Sequence, residues 1–82
     1  MFKKNSPESC VITFSAVYHA LKAEKHFKGL GFKVKLIPVP RQISSNCGIA
    51  LEFNFRDRER LAAVIQGARL AIENIYPLFK IL

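Results

Sequence analysis

The chain has 82 residues, 50% of them hydrophobic and 23% charged, with a formal net charge of +7. That length holds a single hydrophobic core and excludes two separate ones, and the apolar content excludes an extended disordered chain. No stretch reaches the roughly 20 consecutive apolar residues of a membrane-spanning helix.

Residues 1–8 are polar, contain Pro7, and read as a loose lead-in to one domain over residues 9–82. A signal peptide is a poor reading of the start. Polar NSPES separates the lysines from an apolar run that Thr13 and Ser15 interrupt, and cleavage would remove the first strand. That strand is CVITF, residues 10–14, rich in β-formers, and Ser15 behind it is placed to cap a helix. In the helix Val17, Ala20, Leu21, Phe27 and Leu30 recur at helical spacing. Lys22, Lys25 and Lys28 take another face, and Gly29 and Gly31 mark the end.

KVKLIPVP then alternates Lys33 and Lys35 with Val34 and Leu36, a half-solvated strand that Pro38 and Pro40 assign to a sheet edge. GIALEFNF sets Ile49, Leu51, Phe53 and Phe55 against Ala50, Glu52 and Asn54, the clearest strand in the chain. Asp57 is placed to cap a second helix whose buried stripe is Leu61, Val64, Ile65, Ala68, Ile72 and Ile75. Pro77 ends this helix at the latest, and LFKIL reads as a last short strand. The order βαββαβ is the split-βαβ, ferredoxin-like plan of the α+β class: four antiparallel strands with both helices on one face.

This plan sets the first strand beside the third. The start of the first helix and the start of the third strand then meet at one end of the sheet, which brings Cys47 near residues 15–19. A helix N-terminus favours a thiolate there. Arg41 or His19 adds positive charge, and Gly48 leaves the sulfur accessible and lets neighbouring N–H groups turn toward it. Cys10 falls at the opposite end, beyond the reach of a disulfide to Cys47. It reads as a small buried hydrophobe, and the chain as one suited to the reducing cytoplasm.

Several of these residues admit a plainer reading. Cys47 is equally a small side chain closing a strand end or a reactive thiol. Ser44, Ser45 and Asn46 are good turn formers in their own right, His19 and His26 read as surface histidines, and Arg41 as a solvated loop charge. Neither cysteine nor histidine spacing supports a metal site, and no resident cofactor is expected. The positive charge is spread along the chain and the aromatic residues fall on the apolar strand face, so nucleic-acid binding is not favoured. An interaction module would use the uncovered sheet face, where Val11, Thr13, Lys33, Lys35 and Glu52 are expected. The apolar tail YPLFKIL can pack internally or against a second copy in a homodimer.

HALKAEK at residues 19–25, VKLIPVPR at residues 34–41 and SSNCGIAL at residues 44–51 together resemble the putative selenium/sulfur carrier protein-like family. The resemblance runs over residues 11–53. It implies a carrier or relay protein, rather than an enzyme with its own turnover, in which Cys47 transiently holds sulfur or selenium. The partners implied are donor and acceptor proteins, which the positive charge would favour as acidic. Arg41 and the helix-start N–H groups would then stabilise the loaded anion, and Ser44 and Ser45 would shape the loop. The family often carries Ser or Thr and a His just before the Ala–Leu pair. Here Ala16, Val17, Tyr18 and His19 fill those places, so an imidazole contribution would come from His19, shifted by one position.

Overall fold

The computed structural model describes residues 8–43 and 47–78. Its elements are β1 (Ser9–Thr13), α1 (Val17–Gly29), β2 (Val34–Pro38), β3 (Ile49–Asn54), a 3-10 turn (Phe55–Asp57), α2 (Arg58–Ala68) and β4 (Asn74–Leu78). The sheet order is β2-β3-β1-β4, and every neighbouring pair is antiparallel. This is the expected α+β, ferredoxin-like arrangement, with β2 and β4 as edges. Both edges carry proline, Pro38 and Pro77, because an edge strand tolerates a missing backbone N–H.

The register sets Cys10 opposite Phe53 and Ile12 opposite Leu51. On that face Cys10, Ile12, Phe14, Leu51 and Phe53 pack with Ala20, Ala23 and Phe27 of α1 and Leu61 of α2. Both helices thus cover one side of the sheet. The other side is less open than the alternation suggests. Val11 and Thr13 are both fully buried, whereas Lys33 and Lys35 are exposed and Glu52 is half-buried. Val11 lies between Glu52 and Tyr76 in register, and Ser9 Oγ donates to Glu52 Oε2 at 2.9 Å. Val11 is flanked by the longer Glu52 and Tyr76, and Thr13 by Ala50 and Asn74. The expectation of an open face at Val11 and Thr13 is therefore corrected.

The first helix also differs from its pattern. Ala16, not Ser15, is the N-cap, and no side chain caps it. Val17, Leu21 and Leu30 are exposed, and the buried face is Ala20, Ala23 and Phe27. Two alanines let the helix approach the sheet closely, which turns the larger Val17 and Leu21 outward. The end follows the Schellman pattern: Phe32 N–H donates to the Phe27 carbonyl, Gly31 N–H to that of Lys28, and Gly31 has φ +91°. Phe32 closes the motif edge-to-face on Phe27, with ring centroids 5.9 Å apart.

The second helix stops well before Ile72 and Ile75, which the apolar spacing had assigned to it. It ends at Ala68 because Arg69 takes left-handed angles, φ 55° and ψ 46°. Leu70 N–H then bonds back to the Ile65 carbonyl and Arg69 N–H to that of Gln66, a second Schellman ending. Asp57 is the N-cap, with φ −92° and ψ 2° at the end of the 3-10 turn, and its side chain makes no capping bond. Glu73 N–H donates to the Thr13 carbonyl at 2.7 Å, and β4 begins at the next residue. Pro77 thus sits inside a strand rather than ending a helix. The last strand is NIYPL, and the remainder of the LFKIL stretch lies outside the described residues.

Candidate functional site

The β1–β3 pairing ends with Thr13 opposite Ala50. Cys47 and Gly48 precede β3 by two residues and one, so they lie at the sheet end where β1 gives way to α1. Val39 N–H donates to the Gly48 carbonyl at 3.1 Å, which ties this segment to the chain leaving β2. Gly48 adopts φ +76°, and a Cβ there would meet no atom within 4 Å. The backbone angle thus calls for glycine at this position, and the space around it is open.

Cys47 is a free thiol, half-buried, and packs against the edge of the core. Its Sγ donates to the Ile49 carbonyl oxygen at 3.2 Å. The backbone after Gly48 thus offers this sulfur an acceptor. Because the partner is a main-chain group two residues on, no residue type in the sequence signals it. Beside Gly48, Leu36, Ile37, Pro38 and Ile49 line a shallow apolar cleft of about 300 Å³.

The remaining sequence candidates divide. Ser15 is exposed and does not cap α1, and His19 lies half-buried in the first turn with its ring edge-on to Tyr18 at 5.3 Å. No described side chain caps α1, and the His19 N–H donates to the Ala16 carbonyl at 3.1 Å. Arg41 is exposed and has no ion-pair partner among the described residues. Ser44, Ser45 and Asn46 lie outside the described residues. Among those described, no three His, Cys, Asp or Glu side chains cluster as metal ligands, and no helix is long and apolar enough to cross a membrane.

Cys10 is in a different setting. It is 3% exposed and pairs with Phe53, six residues along the chain from Cys47. Burial pushes its thiol up from the ordinary range, and the Arg58 guanidinium offsets this in part. Such a thiol is a core side chain, as its sequence context suggests.

A family model described as "Putative Se/S carrier protein-like" matches residues 9–77. That span takes in both helices and all but the last residue of β4, well beyond residues 11–53. A "Putative sulfur carrier protein" of Aquifex aeolicus (strain VF5) is 37% identical over 67 residues, which cover 79% of this chain and 34% of that protein. The chain therefore spans about a third of the length of this relative. No solved structure matches.

Proposed function

Since the chain belongs to the Putative Se/S carrier protein-like family, we propose that it carries sulfur or selenium on Cys47 between a donor and an acceptor protein. The observation that carries the assignment to this cysteine is its setting. Cys47 is the half-exposed thiol of the two, two residues before β3 at the sheet end where β1 leads into α1, with the open Gly48 next to it.

Loading begins when the thiol leaves the Ile49 carbonyl and loses its proton to solvent. The thiolate attacks the outer sulfur of a donor persulfide, R–S–SH. The donor S–S bond breaks, its inner sulfur departs as the thiolate, and Cys47 becomes Cys47–S–SH. The exchange needs no external oxidant, because the sulfane sulfur passes between thiols at the same oxidation level. An ionised persulfide is an anion, which the positive end of α1 and the exposed Arg41 suit electrostatically. A relay of this kind requires no turnover of its own and no resident cofactor. It favours a reducing compartment such as the cytoplasm, consistent with two free cysteines.

The test is incubation of the reduced protein with a cysteine desulfurase and cysteine, followed by intact mass and peptide mapping. One added sulfur on the Cys47 peptide is expected, and none on Cys47→Ala. Sulfur retained by Cys47→Ala would refute the assignment. Repetition with a selenium donor distinguishes the two cargoes.

A further inference from the structure

Val17 and Leu21, which the apolar pattern of α1 assigns to the core, lie outside it and with Tyr18 form a surface of their own. Val17, Tyr18 and Leu21 are 40%, 65% and 49% exposed. Leu21 is three residues from Tyr18 and four from Val17, so it neighbours both on the first turns of the helix. Lys22 and Lys25 border them, both exposed, and the Lys22 ammonium lies 6.0 Å from the centre of the Tyr18 ring. No acidic residue occupies the first turn, and Glu24 is engaged by Lys28 at 3.0 Å. The border is therefore cationic. The helix begins at the sheet end that holds Cys47.

From this we infer that the first half of α1 is the docking surface for the protein that loads Cys47, a persulfide-bearing desulfurase whose contact surface is apolar at its centre and rimmed by carboxylates. The inference rests on the carrier reading of Cys47. An aromatic and two aliphatic side chains supply the desolvated centre that interfaces depend on, and the lysines select an acidic rim and speed encounter. Docking there would bring the donor's persulfide to the same end of the sheet as the receiving sulfur.

The experiment compares two donors on the full chain. One is a low-molecular-weight persulfide, glutathione persulfide, which needs no docking surface. The other is a cysteine desulfurase supplied with cysteine. The variants are Tyr18→Ala/Leu21→Ser and Lys22→Glu/Lys25→Glu, all at exposed positions, with circular dichroism to establish that they fold. The expected result is wild-type loading of both variants by glutathione persulfide and loading by the desulfurase slowed at least about tenfold. For the lysine variant, the difference from wild type should shrink as salt is raised.

Equal loading of variants and wild type by the enzyme would overturn the docking inference and leave the carrier reading intact. Wild-type loading by glutathione persulfide but not by the desulfurase would overturn it as well. Failure of the wild type with both donors would remove the carrier reading itself, and docking with it. Conversion of a dimer to a monomer by these substitutions, with loading unchanged, would assign the face to a second copy of the chain instead.

Discussion

Gly48 and the two cysteines show how much one position can depend on its surroundings. Gly48 holds φ +76° in open space, so replacing it by alanine strains the backbone without a clash. Gly48→Ala is expected to lower stability by about 1 kcal/mol in urea unfolding. A much larger loss would mean that the space beside it is filled in solution. Cys10 is governed by burial. Its thiol is pushed up in the folded chain, so at alkaline pH the unfolded state releases a proton that the folded state retains. The stability linked to this group is intact below the ordinary thiol range and falls as pH rises through that range toward the higher folded value. Cys10→Ala should therefore flatten the alkaline decline of the midpoint in a urea series across pH, and an unchanged slope would contradict the burial argument. The sequence already separates the two cysteines, Cys10 before the apolar run of β1 and Cys47 between Asn46 and Gly48. Their difference in exposure arises from which strands flank them.

At the scale of elements, the two helix ends illustrate what residue identity conveys and what it hides. Gly31 ends α1 with the residue type that positive φ prefers, and the end is readable at sight. In α2 the glycine, Gly67, lies within the last turn, and the left-handed position two residues later is Arg69. An arginine there conceals the stop, and the apolar spacing of Ile72 and Ile75 extends the apparent helix into what is β4. The same analysis predicts that Arg69→Gly raises stability by about 1 kcal/mol, because an L side chain in that region costs about that much. Urea unfolding of the variant measures it, and a loss of stability would mean that the arginine side chain contributes more than its backbone costs. The strand pattern of β3, by contrast, is legible from Ile49 to Asn54, with Phe55, which the alternation adds, opening the 3-10 turn.

For the molecule as a whole, the sheet order keeps the two thiols apart. Cys10 pairs with Phe53, four residues into β3 from Ile49, about 13 Å at the rise of a strand, and Cys47 lies two residues further on, before the strand. A disulfide requires Cα atoms within about 7 Å. Mild oxidation should therefore give mixed disulfides or linked dimers through Cys47, and no monomer lighter by a pair of hydrogens. That lighter monomer, found by non-reducing intact mass, would show that the sheet opens far more readily than its buried centre suggests.

The order of elements, the antiparallel sheet and the separation of the cysteines were determined by the sequence alone. They depend on hydrophobic periodicity and on glycine and proline punctuation, which are local properties. The tertiary structure decided the rest. It set Ala20 and Ala23 against the sheet and turned Val17 and Leu21 outward, since the helix settles on whichever face permits the closest approach. It buried Val11 and Thr13 on the side without helices, because β1 is paired on both sides, by β3 and β4. It also directed the Cys47 thiol to the Ile49 carbonyl, a contact between a side chain and the main chain that depends on backbone angles rather than on residue type.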